Sequence, residues 1–242
     1  MKRDLLYAGI FWIVLTVVGE YLALTVDIFP PAAAEEALII DEAFDLLLIL
    51  GIPVFTFVLA GLVFAFLRYR VPEDSIEDGP PVRTHKTLTW SWFMITSALA
   101  ILVIIHPGIT GLRELQRDPN EDLVVQVDTE QWQWTFSYPQ YGVTLVDASE
   151  LVLPVEQRVK FEITSQDVIH SMWIPAFRMK MDAVPGQTNV MYVTPHKRGD
   201  MGEHSAFRVQ CAELCGTGHP RMRAGLRIVS GEEFEAWIES NQ

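Results

Sequence analysis

Two cysteines, two histidines and a methionine are the residues of this 242-residue chain best suited to chemistry. Cys211, Cys215, His219 and Met222 fall within twelve residues, in the run Cys211-Ala-Glu-Leu-Cys215-Gly-Thr-Gly-His219-Pro-Arg-Met222. His170 stands upstream in Val168-Ile-His-Ser-Met-Trp-Ile-Pro175. Soft sulfur with imidazole selects copper or zinc, and a weak axial thioether points to copper that carries electrons. A mononuclear blue-copper site needs one cysteine. A second cysteine lets two thiolates bridge two copper ions, with one terminal histidine for each, and sharing an electron between two ions reduces the geometry change on redox. Two alternatives stand beside this. A disulfide between Cys211 and Cys215 leaves the His and Met spacing to chance, and a structural zinc site of two cysteines and two histidines has no use for Met222. An attached c-type haem is excluded, because the sequence has no Cys-x-x-Cys-His. His196 and His204 have no ligand-like context and are expected to be ordinary surface or hydrogen-bonded residues.

Such a cluster needs a scaffold, and the chain offers two textures. Half of its residues are hydrophobic, more than a soluble domain of this size carries, so part of it is expected in lipid. Three apolar runs, about 5–26, 44–68 and 87–106, are each long enough to cross the hydrocarbon core as a helix. The loop after the first holds Asp27, Glu35, Glu36, Asp41 and Glu42 without Lys or Arg. The connection after the second carries Arg68, Arg70, Arg83 and Lys86, and the amino terminus has Lys2 and Arg3. Positive flanks mark the cytoplasmic side, so the amino terminus is placed inside and everything after the third run outside. The first run also resembles a secretory signal, with Ala32-Ala33-Ala34 as the best cleavage candidate. Its greater length favours a retained helix. Glu20, unusual within a span, either faces another subunit or reaches for the outer interface.

From about residue 121 short alternating runs appear at 123–128, 131–138, 143–146, 158–164, 189–194 and 203–209, separated by Pro, Gly and charged turns. They predict an antiparallel sandwich or barrel. Gly231-Glu-Glu-Phe-Glu-Ala-Trp-Ile-Glu predicts a closing helix with acids in its first turn. The expected division is therefore a transmembrane anchor over 1–110 and an extracytoplasmic domain over 111–242. The net charge of −13 argues against nucleic acid. It favours a basic protein partner met by electrostatic steering.

The motif Cys-Ala-Glu-Leu-Cys-Gly-x-x-His-x-x-Met, with Ile-His-Ser-x-Trp-x-Pro upstream, resembles the dinuclear copper A site of cytochrome c oxidase subunit II. The likeness extends to Phe177-Arg-Met-Lys-Met-Asp-Ala-Val-Pro-Gly186 and to Gln131-Trp-Gln-Trp134. It implies an all-β, cupredoxin-like sandwich on a transmembrane helical anchor. It also implies that His170 and His219 are terminal copper ligands, Cys211 and Cys215 bridging thiolates, Met222 an axial thioether, and the main-chain carbonyl of Glu213 a weak ligand. The Glu213 carboxylate would reach a magnesium ion at the boundary with the catalytic subunit. Trp132, Trp134, Phe136 and Tyr138 alternate along one strand and read mainly as sandwich core, but the resemblance singles out Trp132 as the exposed aromatic through which the electron enters.

The implied function is to take electrons from an external donor, cytochrome c or another small redox protein, and pass them to haem in a partner, the haem-copper oxidase subunit I, with other oxidase subunits alongside. The implied setting is a prokaryotic cell (inner) membrane, spanned several times and in contact with lipid, with the copper domain on the periplasmic or extracellular side. The copper A subunit of a nitric oxide reductase would look alike and is the alternative. Departures from the family's pattern are Gln133, where an aromatic often lies between the two tryptophans, and Thr87, where a proton-path glutamate often stands. The first helix is additional to the usual pair.

Overall fold

The computed structural model describes residues 2–70, 84–115 and 123–242. Arg83 of the basic connection and the expected start of the β-region at residue 121 lie outside them.

Three long helices, α1 (Lys2–Thr25), α2 (Glu35–Arg68) and α3 (Lys86–Val103), are each apolar and long enough to cross a membrane. A helix suits such a sequence because lipid offers no partner for backbone N–H and C=O groups, so each must be satisfied within its own segment. Helix α2 begins at Glu35, nine residues before the run at 44–68, because Glu35 and Glu36 are well placed against the positive end of a helix dipole. Helix α3 is capped by His85, whose Nδ1 accepts the Leu88 N–H at 3.2 Å. It continues through a kink at His106, where Pro107 interrupts the helix, into α4 (Thr110–Leu115). The apolar span thus reaches Leu115 rather than 106. Helices α1 and α2 share a polar seam: the Trp12 indole donates to the Pro53 carbonyl at 2.9 Å, and the Thr16 and Thr56 hydroxyls lie 2.7 Å apart. Gly19 permits this approach, since a Cβ there would come within 2.8 Å of Ile52.

The carboxy-terminal part is a two-sheet sandwich. One sheet runs β3 (Val143–Leu145), β2 (Gln133–Tyr138), β1 (Leu123–Glu130), β5 (Val159–Ser165), β8 (Asn189–Val193). The other runs β4 (Glu150–Pro154), β11 (Arg223–Val229), β10 (Arg208–Cys211), β6 (His170–Ile174), β7 (Met179–Ala183), with the short β9 (Gly199–Asp200) on β11. The expected antiparallel arrangement is corrected in two places, since β1–β5 and β4–β11 pair in parallel. Inward residues of both sheets form one core, including Val125, Val127, Trp134, Phe136, Phe161, Ile163, Leu226 and Ile228. Tyr138 stitches the sheets together: its hydroxyl donates to the Val152 carbonyl (2.9 Å) and accepts the Val152 N–H (3.2 Å). Burial holds its phenol well above the ordinary range, so it stays protonated and able to donate. Helix α5 (Gly231–Ser240), with a Ser230–Glu233 capping box, packs Phe234 and Trp237 against Tyr138.

The compact units are discontinuous in sequence: Met1–Ile28 with Glu42–Leu112, and Phe29–Asp41 with Arg113–Gln242. Phe29–Asp41 thus clusters with the carboxy-terminal unit although it precedes residue 110 in sequence. Ala33, Ala34 and Ala37 are fully buried, and Ala33 exchanges backbone bonds with Ala176 and His196. Arg178, in left-handed conformation (φ 58°), clamps the segment. Its guanidinium grips Asp41 at 2.8 and 2.9 Å and donates to the carbonyls of Pro30, Pro31 and Pro175. The Glu36 carboxylate accepts the Thr194 N–H at 2.8 Å.

Candidate metal centre

The sheet that carries β6 and β10 sets the first half of the centre. His170 opens β6, Cys211 closes β10, and the two strands pair antiparallel with Cys211 opposite Met172. The second half rides on the loop from Cys211 to Met222, closed at its base by the Cys211 N–H donating to the Met222 carbonyl at 3.0 Å. Gly216 (φ 110°) makes the turn that a residue with a Cβ rarely adopts. His219 then starts a 3₁₀ turn ending before Met222.

The donor atoms converge. The two sulfurs are 3.7 Å apart, far beyond a disulfide of about 2.05 Å. Two metal–sulfur bonds of about 2.3 Å each can span that separation. Cys211 Sγ lies 3.9 Å from His170 Nδ1 and 3.2 Å from the Glu213 carbonyl oxygen. Cys215 Sγ lies 3.6 Å from His219 Nδ1 and 3.9 Å from Met222 Sδ. Ligand atoms of His170, Cys211 and Cys215 lie within 4.8 Å of one another, a cluster that His219 does not join. His170 and the Glu213 carbonyl thus lie in contact with Cys211, with His170 also within 4.8 Å of the second sulfur, and His219 and Met222 lie in contact with Cys215. Both thiols, His170 and Met222 are buried, and the Glu213 side chain is exposed. Burial, with the Cys211 thiol alongside, pushes the Cys215 thiol up to about 12, so a cation is needed to displace its proton.

Two residues that the motif did not flag support this cluster. Asp167 Oδ1 lies 2.9 Å from His170 Nε2. A carboxylate there makes Nε2 the protonated nitrogen and leaves the Nδ1 lone pair facing Cys211. Partial burial works against the charge of Asp167, yet bonds from His170 and from the Val168 and Gln131 N–H groups hold its carboxyl below the usual range. The Gln131 side chain donates to the Cys215 carbonyl at 2.7 Å, and the Trp132 indole donates to the same oxygen at 3.0 Å. An acid three residues before a ligand histidine was a readable signal. The Gln131 contact, between residues 84 positions apart, was not. Trp132 is 40% exposed, whereas Trp134, Phe136 and Tyr138 on β2 are buried. The indole lies so close on the loop that a Cβ at Gly218 would come within 2.2 Å of it. His204 accepts the Ala206 N–H, and His196 Nδ1 has no partner among the described residues.

Comparison with known proteins places this geometry. The family described as "Cytochrome C oxidase subunit II, periplasmic domain" matches residues 143–229, which hold all six donors. "Cytochrome c oxidase subunit 2" of Thermostichus vulcanus is 27% identical over 282 residues, covering 95% of this chain and 83% of that protein. Its namesake in Bacillus subtilis (strain 168) is 31% identical over 186 residues, covering 74% of this chain and 51% of the relative. The chain belongs to the cytochrome c oxidase subunit II family. The periplasmic domain of subunit II of cytochrome oxidase (CoxB) of Bradyrhizobium japonicum is 33% identical, covers 51% of this chain and 95% of that chain, and superposes with a TM-score of 0.46. The chain is accordingly a membrane-anchored part of an oxidoreductase, with a cupredoxin-like domain and a copper site at the His170, Cys211 and Cys215 cluster.

Proposed function

We propose that this subunit receives single electrons from an external donor, cytochrome c or another small redox protein, at a dinuclear copper A centre and passes them to haem in the catalytic subunit I for oxygen reduction. The observation that carries this reading is the convergence of six donors: two adjacent sulfurs, with His170 and the Glu213 carbonyl beside Cys211, and His219 and Met222 beside Cys215. Bound copper would supply a one-electron redox couple there. Cys211 and Cys215 would hold it through their thiolates, His170 and His219 through their imidazoles, and Met222 and the Glu213 carbonyl as weak donors whose strength tunes the potential. A single zinc ion would use four donors around one point and leave Met222 without a role.

Trp132 is the proposed point at which the electron enters, because its indole is open to a docking partner on one side and hydrogen-bonded to Cys215 on the other. The Glu213 carboxylate could offer magnesium one oxygen of the six the ion prefers, so the remaining ligands belong to subunit I and water. We place the amino terminus in the cytoplasm and the copper domain outside, supported by the positive residues and by the Arg68 guanidinium donating to Asp4 at 3.0 Å, which brings two positively flanked helix ends together. The domain assignment that follows is an anchor built from α1 to α3 and a copper domain that includes Phe29–Asp41.

Metal analysis and electron paramagnetic resonance of the purified chain, free of the catalytic subunit and its own metals, test the centre. Two coppers per chain sharing one unpaired electron are expected, and a single-copper hyperfine pattern from the intact chain would overturn the dinuclear assignment. Stopped-flow mixing with reduced cytochrome c tests Trp132. Trp132→Ala should slow electron transfer with copper content unchanged, and a parental rate in fully loaded protein would return Trp132 to a packing role.

A further inference from the structure

The two halves of the copper site hang on different elements, one at the start of β6 and one on the loop after β10. A chain of hydrogen bonds joins them from outside the ligand set. His170 Nε2 donates to Asp167 Oδ1 at 2.9 Å. Asp167 Oδ2 accepts the Gln131 backbone N–H at 2.8 Å. The Gln131 side-chain amide then donates to the Cys215 carbonyl at 2.7 Å. Gln131 belongs to the turn between β1 and β2, in the opposite sheet, so one residue uses its two donors to reach both halves.

The links are held in place. Asp167 Oδ1 also accepts the Val168 N–H at 2.6 Å and the Ser165 hydroxyl at 3.3 Å, which fixes the carboxylate. The Gln131 amide has room only because residue 216 is glycine, where a Cβ would come to 3.0 Å from its nitrogen. These bonds all lie outside the donor set, and a redox centre braced from outside in this way reorganises little when its charge changes.

The geometry points to Asp167 and Gln131 as linked positioning residues that hold His170 and the Cys215 loop at a fixed separation and place one negative charge behind the His170 ligand. This inference rests on the copper reading above. Outer partners of ligand histidines are worth about 10–100-fold in metal affinity. Asp167→Ala should weaken copper binding by about that factor, since it leaves the buried Nε2–H without its acceptor. Asp167→Asn keeps an acceptor oxygen and removes the charge. It should restore most of the affinity while raising the reduction potential, because the oxidised, more positive centre loses a stabilising neighbour. Gln131→Ala should alter the copper hyperfine pattern with a smaller loss of affinity, as Trp132 still holds the Cys215 carbonyl.

The test uses the full chain in detergent, titrated with copper and followed by paramagnetic resonance and potentiometry, with circular dichroism of each copper-free variant as the folding control. If the parental chain takes up no copper, the copper reading itself fails. If it does, and Asp167→Ala and Gln131→Ala match it in affinity, spectrum and potential, the positioning role is overturned. Should Asp167→Ala not fold, Asp167→Asn decides, and an unchanged potential there overturns the proposal. The double variant Asp167→Ala with Gln131→Ala should cost less than the two singles added together, because one removed link already breaks the chain. Strict additivity would overturn the linkage.

Discussion

The two halves of the copper site are built by different means. His170 and Cys211 are strand residues, locked by the β6–β10 ladder and buried at its edge. Cys215, His219 and Met222 sit on a loop that makes no ladder of its own and leans on Gln131 and Trp132 through its carbonyl and its glycines. Sheet geometry makes one half rigid at no further cost in sequence. The other half must be braced by side chains, and the brace doubles as the exposed surface where a donor would meet the site. Position and access are thus divided between the halves.

The largest effects should come from the sulfurs, and they should differ by half. Cys211→Ser and Cys215→Ser each remove a proposed bridge, so both should abolish a shared-electron spectrum. Cys211→Ser leaves Cys215, His219 and Met222 together, a thiolate–imidazole–thioether set suited to one copper. Cys215→Ser leaves only His170 and a carbonyl near the remaining thiolate. A single-copper signal is therefore expected from the first variant and a larger loss of copper from the second. Equal copper content and identical spectra would erase the distinction between the halves.

Next in size is the brace. Gly218→Val puts a branched side chain where even a Cβ would come within 2.2 Å of the Trp132 ring. Overpacking of this kind costs about 1–3 kcal/mol. It should displace the indole, slow electron transfer from reduced cytochrome c and leave His170 and Cys211 in register. Denaturant unfolding and stopped-flow rates read the two effects separately. Full stability with the parental rate would show that the loop does not need the close approach.

What could be read in the sequence follows the same division. The three spans were legible because an apolar run of about 20 residues has few other uses, and β1, β2, β3, β5 and β8 were legible from their alternation. Strands β4, β6 and β11 escaped because their residues are buried on both faces (Leu151 to Pro154, His170 to Met172, Ala224 to Leu226), which removes the period of two. The run at 203–209 is displaced to Arg208–Cys211, since Asp200 Oδ1 accepts the N–H groups of Gly202 and Glu203 and folds that stretch into a turn. The copper ligands stood out because five of the six crowd into twelve residues. Asp167, Gln131 and the Arg178 clamp did not, because their contacts join positions far apart in sequence or carry no motif.

The clamp supplies a contrast within the rigid half. Arg178 follows the far end of β6 from His170, and Arg178→Ala leaves Asp41 and the carbonyls of Pro30 and Pro31 without their donor. Breaking a fully buried pair costs about 3–5 kcal/mol. Asp41 retains some access to water, so about 2 kcal/mol is expected here, a fall in melting temperature of about 4–8 °C. The copper spectrum should not change. A changed spectrum with full copper would mean that strain at this end of β6 reaches its ligand.

The smallest effect concerns how a donor arrives rather than how the electron moves, and it separates the brace from the surface around it. From residue 121 onward the chain carries 17 Asp and Glu against 10 Lys and Arg, a balance of −7. A basic donor should therefore associate faster at low salt, with the field screened to about 10 Å at 0.1 M. Asp128 and Glu130 lie on β1 just before the Gln131–Trp132 turn, each bonded to a glutamine amide and, among the described residues, to no cation. Their charge thus remains available to a partner. Asp128→Asn and Glu130→Gln should each lower the association rate by about 2-fold at low salt, little at high salt, and flatten the salt dependence. Copper content, potential and the transfer rate within the docked complex should stay at parental values. Rates measured across ionic strength against reduced cytochrome c decide the matter. If neutralising both acids leaves the salt dependence unaltered, the donor is steered by charges elsewhere on the domain. If it slows transfer after docking as well, attraction and electron transfer are not separable at this edge of the sandwich.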